Sequence, residues 1–228
     1  KSPACEEVIC APGNPGIEDC ARCVNIDADD IKELVALAKR EQVALVVIGP
    51  EVPLVMGLSD LLRASGVHVF GPSCAAAELE GSKGFMKDHC QKYNIPTANY
   101  KRFKNPDDAK VYVQTFKAPI VVKVDGLAAG KGVIICQSKT EAYEAIDHIM
   151  LDNAFGTAGS QIVIEEYLEG EEVSFFALVS GNDAIPLGTA QDYKAAFDGG
   201  LGPNTGGMGA FSPSPIISPG MTNYIMDN

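Results

Sequence analysis

The chain has 228 residues, 46% of them hydrophobic, enough to bury a core in one large domain or two modest ones. A formal charge of −12, with no block of Lys and Arg longer than a pair, argues against a sequence-independent hold on nucleic acid or on an anionic membrane. No apolar run approaches the roughly 20 residues of a membrane span, and the opening Lys1-Ser2-Pro3-Ala4-Cys5 lacks the apolar stretch of a signal peptide, so a soluble, unsecreted chain is expected.

In chain order, Glu7 to Ala11 reads as a strand entering the turn Ala11-Pro-Gly-Asn-Pro-Gly16. Asp30 to Gln42 reads as a helix with Ile31, Leu34, Val35 and Ala38 on one face. Val43 to Gly49 is a buried strand, Leu54 to Ser65 a helix, and Val67 to Phe70 a third strand; both of these strands end in Gly-Pro. This alternation predicts a parallel sheet with crossover helices. Ligands of open α/β sheets bind beyond the carboxyl ends of the strands, which sets Ala11 to Asn14 and Gly49 to Glu51 up to share one crevice. The chain opens almost directly on a strand with no strand-loop-helix unit before it, so the sheet reads as incomplete upstream.

From about Ala75 the rhythm changes to helix, then a helix from Pro106 to Phe116, strands Pro119 to Val124 and Gly132 to Gln137, and a helix from Thr140 to Leu151. Three apolar strands follow, Gln161 to Leu168, Val173 to Ser180 and Asp183 to Leu187, as in an α+β unit on a mostly antiparallel sheet. A helix opens after Pro219. The seven cysteines mostly sit in apolar surroundings, as reduced packed thiols do. Cys20-Ala-Arg-Cys23 has metal-ligand spacing, but no second Cys or His pair follows it closely, and no residue is assigned as a metal ligand.

Three segments carry chemistry. In Val121-Val-Lys123-Val-Asp-Gly126-Leu-Ala-Ala-Gly130-Lys131-Gly132 a strand meets a glycine-rich turn. Glycines let backbone amides close on phosphate oxygens, and Lys123 and Lys131 add the positive charge those amides only partly supply. A plain hairpin with surface lysines is the bland alternative. The second segment, Ile162-Val-Ile-Glu165-Glu166-Tyr167-Leu168-Glu-Gly-Glu171-Glu172, is an acidic strand end. A carboxylate or carbonyl with an amide two or three residues on reads an adenine, and a later Glu accepts from ribose hydroxyls; a merely solvated strand end is the alternative. The third, Gly202-Pro-Asn204-Thr205-Gly206-Gly207-Met208-Gly209, can wrap a second anion such as a sugar phosphate, or be a mobile surface loop.

In this order the three segments resemble the ATP-grasp ligases, and their wording is similar to that of the glycinamide ribonucleotide synthetase family. The resemblance runs from about Val8 to the last residue, through Ala-Pro-Gly-Asn14, Val-Ile-Gly-Pro-Glu51, Leu-Glu-Gly-Ser-Lys83, Asp-Gly-Leu-Ala-Ala-Gly-Lys-Gly132 and Gly-Pro-Asn-Thr-Gly-Gly-Met-Gly209; Gln91-Lys-Tyr-Asn-Ile-Pro looks most like plant versions. It implies a partial Rossmann-like, pre-ATP-grasp parallel-sheet domain over residues 1–79, then an ATP-grasp domain over 80–228 that is incomplete at its C-terminus.

The resemblance further implies that ATP phosphorylates glycine, and that the amine of 5-phosphoribosylamine attacks the acyl phosphate to give glycinamide ribonucleotide, ADP and phosphate. Lys83, Lys123, Lys131, Gly126, Gly130 and Gly132 would then hold the phosphates, Glu165 and Leu168 the adenine, and Glu172 the ribose. Pro12, Gly13, Asn14 and Glu51 would face phosphoribosylamine, and Asn204, Thr205, Gly206, Gly207 and Met208 its phosphate. Asp192 and Lys194 match substrate-side positions and, with Lys123 and Lys131, are the residues expected to take part in catalysis.

Family members read Gln-Asp-His-Lys-Arg where this chain has Gln191-Asp192-Tyr193-Lys194-Ala195, and an arginine fork at an anion site is not replaced by a methyl group without loss. The family's magnesium (or manganese) ligands would lie beyond Asn228, so residues 1–228 alone are expected to turn over negligibly. Three readings stand: a fragment of an active ligase; a truncated, degenerate paralogue that binds ATP weakly or not at all; or an ATP-grasp ligase for a different acid. The expected compartment is the cytoplasm, or the plastid if the plant-like resemblance holds.

Overall fold

Two short parallel strand pairs open the chain. Strand β1 (Ile9–Cys10) leads through helix α1 (Pro15–Glu18) to β2 (Arg22–Cys23), its parallel partner. Helix α2 (Ile31–Arg40) then crosses to β3 (Val46–Val47), which pairs in parallel with β4 (Val69–Phe70) after helices α3 (Glu51–Val55) and α4 (Leu58–Ala64). The predicted face of α2 is the one that packs: Ile31, Leu34, Val35 and Ala38 meet Ile48, Leu58 and Leu62. The single helix expected over Leu54 to Ser65 is two. Gly57, at φ +85°, takes a left-handed conformation that ends α3 and caps α4.

Helix α5 (Cys74–Gly81) stops where Ser82 turns into the extended conformation and caps helix α6 (Lys83–Tyr93), its hydroxyl accepting from the Phe85 amide at 3.0 Å. There follow β5 (Tyr100–Phe103), α7 (Pro106–Val113), β6 (Ile120–Val124), β7 (Val133–Cys136), α8 (Lys139–Met150) and β8 (Ile162–Glu166). The four strands form one antiparallel sheet in the order β5-β8-β6-β7. Strand β5 escapes a pattern reading because Tyr-Lys-Arg-Phe is half basic; as an edge strand it can carry those charges.

Alternation along the strands gives the sheet two faces. Ile120, Val122, Val124, Ile162 and Ile164 point to one, where α7 and α8 close over them with Ala109, Val113, Ala142, Ala145, Ile146 and Ile149. Those α8 residues recur at helical spacing, and the helix is started by a reciprocal cap. The Ser138 hydroxyl accepts from the Glu141 amide at 3.1 Å, and the Glu141 carboxylate accepts from the Gln137 amide at 2.9 Å. The opposite face carries Val121, Lys123, Val163 and Glu165 and is packed by α6 at β5 and β8.

The computed structural model describes residues 2–128, 130–205 and 207–227, without the side chains of Leu201, Pro203 and Asn204. It falls into two units, Lys1–Glu166 and Tyr167–Asn228. In the second, β9 (Ser174–Ser180) pairs antiparallel with β10 (Asp183–Asp192), and β10 with β13 (Ala210–Phe211); β11 (Ala195–Phe197) pairs with β12 (Leu201–Asn204), and α9 (Pro219–Asp227) packs on β10. Strand β10 outruns the expected end at Leu187, because the register shift between Pro186 and Gly188 absorbs the two strand breakers and pairing resumes through Ala190. The fold is thus α/β with parallel pairs at its start and α+β with antiparallel sheets after it. Among the described residues no helix is long and apolar enough to cross a membrane.

Candidate functional site

Lys123 and Glu165 meet because of sheet register. Glu165 lies opposite Val121 on β6, so Lys123, two residues along, is its diagonal neighbour on the same face. The Lys123 ammonium forms an ion pair with Glu165 Oε1, and Lys87 of α6 pairs with Oε2. Glu165 is only 2% exposed and Lys87 3%, whereas the Lys123 side chain keeps 26% of its exposure. Lys87 also donates to the Thr97 hydroxyl at 2.7 Å. The sequence reading missed Lys87. Its signal was there: Lys83 and Lys87 are four apart on one helix, a like-charge spacing that is unfavourable unless each lysine has its own anionic or carbonyl partner.

Lys83 enters from the start of α6. Its ammonium donates to the Gly126 carbonyl at 3.0 Å, and its backbone amide donates to the Asp125 carbonyl at 3.0 Å. Asp125 completes the clasp by accepting from the Ser82 hydroxyl at 2.9 Å and from the Gly84 amide at 2.6 Å. Burial holds the Lys83 and Lys87 ammonium groups below the ordinary lysine range. The first turn of α6 is thereby fastened to the turn between β6 and β7.

A glycine is required for this. A methyl group on Gly84 would stand 2.7 Å from Asp125 Oδ1 and collide with the Arg102 guanidinium. Gly84→Ala is therefore expected to destabilise the chain by about 1–3 kcal/mol in urea unfolding, as overpacking does. A loss under about 0.5 kcal/mol would show that the clasp yields freely.

The turn's own glycines divide by role. A Cβ on Gly126 would meet Ala158 Cβ at 2.8 Å, and one on Gly132 would meet Ala128 Cβ at 2.7 Å. Both are demanded by close packing, and the Gly126 amide donates to the Ala158 carbonyl at 3.3 Å. Gly130 has open space around it and φ +76°, so there conformation is the reason. Lys131, between Gly130 and Gly132, is exposed.

In the second unit Lys194 joins two of the sequence-identified residues. Its ammonium donates to Glu172 Oε1 at 2.7 Å and lies 3.7 Å from Asp192 Oδ2; the Glu172 hydrogen bond raises its pKa. The glycine-rich loop is tied alongside: the Thr205 amide donates to the Lys194 carbonyl at 2.7 Å, and the Met208 amide to the Tyr193 carbonyl at 2.8 Å. The Thr205 hydroxyl accepts from the Gly207 amide at 3.1 Å. Gly206 lies outside the described residues, as does the side chain of Asn204. Leu168 is an exposed residue of this unit, and Glu165 belongs to the first.

Pro12, Gly13 and Asn14 follow the carboxyl end of β1, and Glu51 follows that of β3 at the first turn of α3. Gly13 has φ +79° and lies where an added Cβ would collide with Cys23, and Asn14 caps α1 by accepting from the Ile17 amide at 3.0 Å. Among the described residues the two parallel pairs belong to separate sheets, so hydrogen bonding does not bring these loops to one edge. No three His, Cys, Asp or Glu side chains among the described residues converge to hold a metal ion.

Residues 1–80 match the family model described as phosphoribosylglycinamide synthetase, N domain, and residues 81–228 the one described as its ATP-grasp (A) domain. The chain is 53% identical to the chloroplastic phosphoribosylamine–glycine ligase of Arabidopsis thaliana, over all of this chain and 43% of that protein. It is 54% identical to the phosphoribosylamine–glycine ligase of Brucella melitensis, over 99% of this chain and 52% of that one. A crystal structure of phosphoribosylamine–glycine ligase from Thermotoga maritima superposes with a TM-score of 0.77 at 33% identity, covering 92% of this chain and 50% of that one. The chain spans about half the length of the curated relatives it matches.

Proposed function

The chain belongs to the phosphoribosylglycinamide synthetase family, and from that premise we propose that it forms part of an enzyme joining glycine to 5-phosphoribosylamine with ATP. A glycine carboxylate oxygen attacks the γ-phosphorus and ADP leaves. The amine of phosphoribosylamine then attacks the acyl carbon of glycyl phosphate, and phosphate leaves with glycinamide ribonucleotide as product. Phosphoryl transfer asks chiefly for in-line positioning and neutralised charge. The observation that carries this reading is that Lys83 is fastened to the Gly126 carbonyl of the glycine turn into which β6, the strand bearing Lys123, leads.

In the proposal Lys83, Lys123, Lys131 and the turn hold the phosphates, Glu165 and Leu168 the adenine, and Glu172 the ribose. Pro12, Gly13, Asn14 and Glu51 face phosphoribosylamine, Asn204 to Met208 its phosphate, and Asp192 and Lys194 the reacting groups. The Lys194 contacts with Glu172 and Asp192 support a charged cluster there that a substrate would have to enter. A pre-ATP-grasp part over residues 1–79 and an ATP-grasp part over 80–228 belong to the same proposal, supported by the meeting point of the two family models. Magnesium would shield the triphosphate, and the chloroplastic relative supports a plastid location.

Calorimetric titration of the chain with ATP and magnesium tests the nucleotide site. Saturable heat with one site is expected, abolished by prior addition of ADP. An absence of heat up to about millimolar ATP would instead mark a degenerate copy.

A further inference from the structure

Glu165 raises a problem for the lysine it holds. A carboxylate in contact with Lys123 cancels most of that lysine's charge as felt by an anion a few ångströms further on. The pair alone presents a dipole where a triphosphate needs a cation. Lys87 alters the sum. It pairs with the other oxygen of the same carboxylate, so that two ammonium groups and one carboxylate leave one net positive charge.

The charge also has a direction. The side chains of Lys87 and Glu165 are 4% and 3% exposed, and only Lys123, at 26%, reaches toward solvent. Lys87 is held in place: its ammonium donates to the Thr97 hydroxyl at 2.7 Å and lies 5.8 Å from the centre of the Tyr100 ring. Buried Oε2 has Lys87 as counter-ion but no hydrogen-bond donor of ordinary geometry. Helix spacing explains why α6 can supply both lysines. Lys83, at the start of the helix, reaches the Gly126 carbonyl, and Lys87, one turn on, reaches Glu165.

We infer that Lys87 is a positioning residue that neutralises Glu165 from the interior, so that Lys123 presents its positive charge to the polyphosphate end of a bound nucleotide. Lys87 never touches the ligand. The inference rests on the reading above that Lys123 faces phosphate. It differs from a role in folding alone, because it demands that charge balance, not packing, set the affinity for anions.

The test compares inorganic tripolyphosphate, which is charge without a nucleoside, with adenosine, a nucleoside without charge, by calorimetry on the full chain. Lys87→Met keeps the side chain's length and removes its charge. It should weaken tripolyphosphate binding about tenfold and flatten its salt dependence, leaving adenosine unchanged. Lys87→Arg should stay within about threefold of the wild-type chain. In the double variant Lys87→Met with Glu165→Gln, the three positions again sum to one positive charge, as in the wild-type chain, and tripolyphosphate affinity should return to within about threefold of wild type.

Equal weakening of both ligands by Lys87→Met, or a double variant no better than the single, would overturn the inference. If Lys87→Met does not fold, the double variant decides, since it replaces the buried pair by two neutral side chains. A wild-type chain that binds neither tripolyphosphate nor ATP would refute the nucleotide reading itself. That result is distinct from any difference among variants.

Discussion

Glu165→Leu is expected to destabilise the first unit by about 3–5 kcal/mol in urea unfolding. Leucine fills the volume and suits the strand, so the loss comes from what stays behind. Lys87 would keep an ammonium group almost wholly out of water, with the Thr97 hydroxyl as acceptor but its counter-ion gone. Its ammonium is already held below the ordinary lysine range by burial, and removing the carboxylate pushes it further the same way. The unfolded chain then binds a proton that the folded chain holds more weakly, so stability rises with pH wherever the two differ. Relative to wild type, the variant should recover stability as the pH rises toward the ordinary lysine pKa of about 10. Adding Lys87→Met should restore most of the loss, as apolar replacement of a whole buried pair does. A loss under about 1 kcal/mol, or one indifferent to pH, would mean that water reaches Lys87 and that the pair is not buried in solution.

Much of this arrangement was legible in the amino-acid order. The strand carrying Lys123, the acidic end of the strand carrying Glu165 and the glycine turn between β6 and β7 could be read from apolar alternation and glycine spacing. Register was not. That Glu165 stands diagonal to Lys123 follows from which residues of β6 and β8 are opposite each other, and two antiparallel strands almost forty residues apart carry no local signal of that pairing. The glycines carry a second constraint: Gly132 meets Ala128 and Val124 of its own segment, but the close packing of Gly126 on Ala158, beyond α8, has no local signal. For Lys87 the four-residue spacing from Lys83 is a local signal, but its buried partner is not. A lysine in an amphipathic helix is expected in solvent, and only tertiary packing puts this one beside a buried carboxylate.

The two lysines that share Glu165 should therefore fail in different ways. Lys123→Met is expected to lower the affinity for ATP with magnesium about a hundredfold while reducing stability by no more than about 1–2 kcal/mol. The fold is largely spared because Glu165 retains Lys87, its more buried partner, and because methionine lies easily along a partly exposed strand position. The ligand is not spared, since both the charged hydrogen bond to phosphate and the net positive charge of the cluster disappear together. Adenosine, which calls on neither, should bind the variant as it binds the wild-type chain. Lys87→Met loses only the second of these two effects, which is why its expected penalty is about tenfold. Measured side by side, the order must be Lys123→Met weaker than Lys87→Met for tripolyphosphate, and Glu165→Leu less stable than either. Any other order would mean that Lys123 and Glu165 serve the fold as a pair, with the phosphates held somewhere else.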